Sequence, residues 1–405
     1  MSIGIGGSSA EIELNKLQDM TADISPIGAA EYSTRIARAQ KLMQEKGIDA
    51  LYLNAGTSMS YFTGTDWHPS ERMVGALLPA SGALTYIAPM FEIGTLELYM
   101  GVKGAVRGWE EHESPYLLFK QMMHDLGLTS GTIAVDESTP YFISNGIALA
   151  AAEFSYINGV CITAACRQIK STAEIALMQR AKDMTLEVQK AAARILRPGI
   201  TTGEIADFIN QAHIKVGAPK GSYFVIVLFG EDSAFPHGVK NPKALAENDM
   251  VLIDTGCELH GYISDITRTY VYGTPNERQR QIWDIEKAAQ AAAFAQAQVG
   301  SRCGDVDLAA RACLADYQLG PDYKLPGLPH RTGHGIGMDI HEWPYLNSGD
   351  DTLLKPGMCF SNEPMICVPG EFGVRLEDHF YMTEDGPKWF TEPSHSIDDP
   401  FGYEA

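Results

Sequence analysis

The sequence predicts two folded regions of different class: an α/β region over residues 30–165 and an α+β region over residues 166–405, the second with a pseudo-twofold repeat. Three observations carry this. Strand-like runs alternate with helical stretches in the first region, whereas in the second a pair of helices followed by strands occurs twice. A capping box, Ser171-Thr172-Ala173-Glu174, opens the second regime just past the junction. The 405 residues agree, since roughly 100–200 residues make one domain.

The elements follow in order. Residues 1–29 are Gly/Ser-rich and then mixed, and read as a loosely held N-terminal arm. From Ala30, apolar Ile36, Ala39, Leu42 and Met43 recur at helical spacing until Gly47, which suits a C-terminal stop. Ile48–Ala55 reads as a buried strand, and Met73–Pro89 as two strands around a Pro-Ala-Ser-Gly turn. Helical stretches near 114–126 and 140–153 flank a strand at Thr132–Ser138. In the second region Ile175, Met178, Met184, Val188, Ala192 and Ile195 form one helical stripe that ends at Pro198-Gly199. Thr201–Glu204 opens a second helix bearing Ile205, Phe208, Ile209 and Ala212. Strands follow at Tyr223–Gly230, Asp249–Gly256 and Ile263–Gly273. A second helix pair then spans 277–298 and 306–317, and strands return near 358–367 and 373–382.

Composition excludes several function classes. With 31 Lys+Arg against 51 Asp+Glu, the formal charge of −20 disfavours nucleic acid and anionic membranes as partners. No run approaches the roughly 18–20 apolar residues of a membrane helix, and the start lacks the pattern of a secretory signal. Seven cysteines without a C-x-x-C pair suggest free thiols in a reducing compartment, so a cytoplasmic location is expected.

The chemistry concentrates in three segments. Asp254 and Asp265 lie eleven residues apart on two apolar strands joined by a short turn. With that turn centred near Leu259-His260, the two carboxylates face each other, about 5 Å apart at Cβ. Like charges so placed need a shared proton or a cation between them. His330, His334 and His341 fall within a stretch rich in glycine, which permits close backbone approach. Glu363 ends a strand before Pro364. On the strand 373–382, Arg375, Glu377 and His379 share one face by period two. Four carboxylates and one imidazole make an oxygen-dominated donor set, which favours Mn²⁺, with Co²⁺, Fe²⁺ or Zn²⁺ as other fits. Two such ions can hold a bridging hydroxide and polarise a carbonyl, the outline of a metal-assisted hydrolase.

At this point the sequence resembles a known family. Asp254-Thr255-Gly256, Ser264–Thr269, Gly333–Gly337, His341-Glu342, Asn362-Glu363-Pro364 and Arg375–Asp378 occur in the order and spacing of the pita-bread metallopeptidases. That family includes prolidase (Xaa-Pro dipeptidase), aminopeptidase P, methionine aminopeptidase and creatinase. The resemblance spans residues 30–395, including Tyr61-Phe62-Thr63-Gly64 of a creatinase/prolidase-like N-terminal domain. It implies a pita-bread catalytic domain holding two divalent metal ions on Asp254, Asp265, His334, Glu363 and Glu377, with Asp265 and Glu377 bridging. It further implies that Glu363 shuttles a proton to the leaving nitrogen. His341 resembles the histidine at the substrate carbonyl and oxyanion, and His237 the other substrate-side histidine. Arg375 resembles an arginine that orients ligands or binds a substrate carboxylate. His330 matches a histidine of the active-site rim, while His379 matches no motif and is expected to be structural.

Among members, the N-terminal domain sets aside methionine aminopeptidase and the complete ligand set creatinase; overall similarity and size then favour prolidase, acting on Xaa-Pro dipeptides, with aminopeptidase P as the alternative. A lyase acting on dimethylsulfoniopropionate is a third reading, disfavoured by Gly256 where an extra carboxylate is expected. A non-catalytic binding domain on the same fold is disfavoured by the intact ligands. The resemblance also implies a homodimer in which the stretch Ser58–Trp67 reaches the partner's site.

Overall fold

The computed structural model describes residues 2–404. They form two compact units: Ile27–Arg167, and a second made of the residues up to Pro26 together with Gln168 onward.

The first unit is a mixed sheet flanked by helices. After α1 (Ala10–Lys16), which belongs to the other unit, the chain forms α2 (Ala29–Lys46), β1 (Ala50–Asn54), α3 (Thr57–Thr63), β2 (Gly75–Pro79), β3 (Thr85–Pro89), α4 (Ile93–Tyr99) and β4 (Ala105–Trp109). It continues with α5 (Pro115–Asp125), β5 (Gly131–Val135), α6 (Tyr141–Ala150), β6 (Phe154–Asn158) and α7 (Val160–Arg167). Strand order is β4-β3-β2-β1-β5-β6, parallel for β3–β4, β1–β5 and β5–β6 and antiparallel elsewhere. Tyr52, Leu77, Ile87, Phe119, Ile133 and Ile147 fill its core. Gly47, with φ 66°, ends α2 in the left-handed conformation that glycine tolerates. Within this unit Trp67 meets Tyr99 edge-on at 6.3 Å.

The opening residues are not the loose arm the composition suggests. Glu13 on α1 is fully buried and binds Lys16, Ser8 and Arg194, while Asp23 pairs with Arg180. These charges tie a Gly/Ser-rich segment down where apolar contact is scarce, which is why apolar patterning gives no sign of it.

The second unit repeats one plan. In its first half α8 (Thr172–Arg194) and α9 (Thr202–Val216) precede β7 (Ser222–Phe229), β8 (Met250–Leu259), β9 (Tyr262–Ile263) and β10 (Ile266–Val271). In its second half α10 (Glu277–Gln296) and α11 (Cys303–Asp316) precede β11 (Gly333–Gly335), β12 (Glu342–Leu346), β13 (Cys359–Asn362), β14 (Met365–Val368), β15 (Phe372–Arg375), β16 (Asp378–Thr383) and β17 (Gly386–Trp389). The sheets run β10-β8-β7 and β12-β11-β13-β16-β17, with β14-β15 as a separate hairpin. Complete capping boxes open α8 and α9, and Asn276 caps α10 through Gln279. Trp283, Ile282, Phe360, Leu376 and Phe380 lie at the centre of the core between α10, α11 and the strands.

Two strand expectations need correction. The β8–β10 turn is centred on His260-Gly261, with φ 50° and 86°, the two positive values of a type I′ hairpin. Asp254 therefore pairs with Thr267, and Asp265 lies beyond the ladder near Gly256. The two aspartates are diagonal neighbours on one face, not opposite each other. Gly256 is required there: a Cβ would lie 1.7 Å from the Ser264 carbonyl oxygen. The strands expected at 358–367 and 373–382 are each broken. Asn362 pairs with Asp378 and Met365 with Arg375, so β13–β16 and β14–β15 are two parts of one long hairpin. The interruption places Glu363 and Glu377 across from one another. It arises because Pro364 has no N–H to offer and the Glu377 N–H turns away to Thr267 O, at 3.2 Å.

A buried polar chain supports the β8–β9 hairpin. His213 of α9 contacts Ser222 Oγ at 2.8 Å through Nδ1 and Thr185 Oγ1 at 3.1 Å through Nε2, and Thr185 meets Ser264 Oγ at 2.7 Å. Burial drives the His213 pKa down to about 3. The unfolded chain, with an ordinary value near ~6.5, then binds a proton that the folded state refuses. Stability is expected to be full above that value and to fall with pH towards about 3, by up to about 1.4 kcal/mol per unit. Urea melts of wild type and His213→Gln between those limits check this: the variant, lacking the titrating ring, should show the flatter dependence.

Candidate metal centre

The two hairpins bring the four carboxylates and His334 together. Asp254 comes from the middle of β8, Asp265 from the start of the return strand, and Glu363 and Glu377 from the facing breaks in the 359–383 hairpin. His334 lies on β11, its N–H held by Ser361 Oγ at 2.9 Å. Carboxylate and imidazole atoms of Asp265, His334 and Glu377 all fall within 4.8 Å of one another. His334 Nε2 lies 3.1 Å from Glu363 Oε1 and 3.8 Å from Asp265 Oδ2. Its Nδ1 sits 3.0 Å from Gly335 O, a contact that requires the proton on Nδ1 and leaves a lone pair on Nε2.

That lone pair points among oxygens that also carry lone pairs. Asp254 Oδ1, Asp265 Oδ1, Glu377 Oε1 and His334 Nε2 are buried and have no hydrogen-bond partner. Such orphaned acceptors are expensive unless a cation meets them. Burial first, and then the neighbouring carboxylates, push Asp265 and Glu377 well above the usual carboxylate range. Glu363 is the one carboxylate of the four with partial exposure, so it marks the open side.

Arg375 is buried beneath the cluster. Its Nη2 donates to Asp254 Oδ2 at 2.6 Å, its Nε to Thr267 Oγ1 at 3.1 Å and its Nη1 to Pro236 O at 3.3 Å. Thr267 in turn donates to Glu377 Oε2 at 2.7 Å. One guanidinium thus orients two carboxylates and fastens the loop that carries His237. His237 is exposed. The His341 ring packs edge-on to His334 at 4.2 Å and keeps an exposed edge. Partial burial first, and the nearby Arg331 guanidinium, draw its pKa down to about 4. His330 is held by Arg331 O at 2.7 Å, and burial lowers its pKa. His379 is wholly buried, 3.6 Å from Glu377 Oε1, with neither ring nitrogen hydrogen-bonded.

Sequence reasoning passed over Thr267, although it lies inside a quoted motif, because nothing in a β-branched strand residue signals a bridge between Arg375 and Glu377. It also passed over Lys182 of α8. This lysine is fully buried, donates to Ile263 O at 3.3 Å and lies over the Phe390 ring, and burial pulls its pKa down to about 8. A lysine on the apolar stripe of α8 was the available signal.

Comparison with known proteins identifies the family. Residues 176–384 match metallopeptidase family M24, and residues 35–169 match the creatinase/prolidase N-terminal domain. The chain is 33% identical to the putative dipeptidase YkvY of Bacillus subtilis over 88% of its own length and 97% of that protein. It is 31% identical to the Xaa-Pro dipeptidase of Pyrococcus furiosus over 90% and 99% of the two chains. The crystal structure of dipeptidase PepE from Mycobacterium ulcerans superposes with a TM-score of 0.85 at 32% identity, covering 92% of this chain and 99% of that one. The chain belongs to the M24 metallopeptidases, with a creatinase/prolidase domain preceding a pita-bread catalytic domain.

Proposed function

We propose that the protein is a dinuclear-metal Xaa-Pro dipeptidase. The observation that carries this reading is the set of orphaned acceptors: the His334 lone pair and three carboxylate oxygens, buried together with no donor to satisfy them. We assign Asp254, Asp265, His334, Glu363 and Glu377 as the ligands. Four carboxylates against one guanidinium leave more negative charge than a single divalent ion neutralises, which supports a pair. The oxygen-rich set favours Mn²⁺. When bound, such a pair supplies a water of lowered pKa and a Lewis acid for the scissile carbonyl.

The chain's own residues do the rest. Glu363, on the open side, takes the water's proton and delivers it to the proline nitrogen, a tertiary amide that lacks an N–H and must gain a proton to leave. His341 donates to the oxyanion that develops on the carbonyl. His237 and His330 line the substrate side. Arg375 is assigned to ligand orientation because its donors are spent on Asp254, Thr267 and Pro236. The names of the relatives favour a dipeptide over a longer substrate, with aminopeptidase P as the second reading. Gly256 weighs against the lyase, since no side chain fits beside Ser264. Seven cysteines, all free, support a reducing cytoplasmic setting, and a homodimer is inferred from the family resemblance.

Mn²⁺-loaded protein is expected to release proline from Ala-Pro and no glycine from Gly-Pro-Ala. Glycine release would make it an aminopeptidase P, and hydrolysis of neither would overturn the reading. Elemental analysis should find two ions per chain. Chelation should abolish turnover and lower Tm, both restored by Mn²⁺, because the released cations bound only the folded state. His341→Ala is expected to lower kcat by about 10²–10³-fold with metal content unchanged, as for the loss of one oxyanion donor. Steady-state kinetics alongside elemental analysis decide it.

A further inference from the structure

Outside the candidate metal centre, the described residues of the catalytic unit contain one buried lysine–glutamate pair that the proposed reaction does not use. Lys170 Nζ lies 3.0 Å from Glu342 Oε2, with side chains 2% and 5% exposed. A buried ion pair is costly to maintain for stability alone, because desolvation offsets the attraction. Its surroundings suggest another purpose. The second oxygen of Glu342 accepts the backbone N–H groups of Met338, at 2.9 Å, and Asp339, at 3.1 Å. Those amides belong to the loop 336–341 that joins β11 to β12 and carries His341 next to the clamp itself. Gly337 lies so close that a Cβ would sit 2.8 Å from Glu342 Oε2 and 2.9 Å from Lys170 Cε. The Gly337 carbonyl accepts from Ile263 N at 2.9 Å, two residues before Asp265.

The far side of the clamp is equally fixed. Lys170 N donates to Gly357 O at 2.8 Å. The next residue, Ser171, begins the capping box of α8, whose Glu174 accepts from Tyr262 Oη at 2.8 Å, beside Ile263. The start of α8 thus grips the Asp265 hairpin through Glu174 and the His341 loop through Lys170.

We infer that Lys170 and Glu342 are positioning residues: their buried pair folds loop 336–341 back on itself and holds the His341 imidazole against His334, at the distance where it can meet the substrate. The pair acts through His341. The inference rests on the proposed role of His341 in catalysis and adds to it the device that sets its place.

The test replaces the pair without stranding a charge, as Lys170→Met with Glu342→Leu. On Mn²⁺-loaded protein and Ala-Pro, kcat is expected to fall by about 10²-fold, the effect of misplacing a catalytic group by about 1 Å. Two metals per chain should remain. In a His341→Ala background the same double substitution is expected to add no further loss. Wild-type kcat in the double variant, or losses that multiply with His341→Ala, would overturn the inference. Glu342→Gln, which keeps a carbonyl acceptor, should fold and give a smaller loss with the same failure to multiply. The imidazole C–H resonances, assigned through His341→Ala, are read in parallel on protein loaded with diamagnetic Zn²⁺: the His341 signal should shift or broaden in the Lys170/Glu342 variants. If His341→Ala retains full kcat, the proposed role of His341 fails. An unmoved His341 resonance rejects the clamp by itself.

Discussion

Everything in the catalytic unit answers to one electrostatic problem. Three carboxylate oxygens and an imidazole lone pair are buried facing one another, with no donor between them. The apolar packing of α8 to α11 against the strands provides the stability that holds this repulsive cluster in place. Arg375 and Thr267 relieve part of it by taking one oxygen each of Asp254 and Glu377, and leave the remaining atoms pointing at a common centre. The arrangement makes sense as a cation site whose ligands are positioned before the cation arrives.

Much of this was legible in the chain itself. The capping boxes at Ser171 and Thr201, the helix pairs and the apolar strands are local, and local patterns announce local structure. The residues proposed as ligands could be picked out because each stands in a short motif of its own. Pairing geometry was less accessible. A shift of the turn by one residue, from Leu259-His260 to His260-Gly261, moves every partner across the β8–β10 ladder, and only positive φ at both turn positions decides it. The break at Leu376-Glu377 was invisible because the competing partner, Thr267 O, is over a hundred residues away in sequence. The opening segment was misjudged for a similar reason, since its anchors are Arg180 and Arg194 of α8.

The same helix recurs throughout. α8 contributes the buried Lys182 below the Asp265 hairpin, Thr185 in the chain leading from His213 to Ser264, and Gln189, which donates to Ile253 O and Ile266 O on the paired strands β8 and β10. Polar side chains on an otherwise apolar stripe look like patterning errors in a sequence. Here each reaches a backbone or side-chain group of the β8–β10 segment, so the helix serves as a rigid frame for it.

The interrupted hairpin has a consequence for how the protein could be taken apart. Its turn, Pro369 to Glu371, is exposed, while the strands on both sides are buried. A single cut there would place Glu363 and Glu377 on separate fragments, still held together by sheet pairing, by the core around Leu376 and Phe380 and by the Arg375–Asp254 and Thr267–Glu377 bonds. Reassembly of two such pieces would then rebuild the carboxylate cluster along their shared boundary, turning the centre into the seam of a split protein.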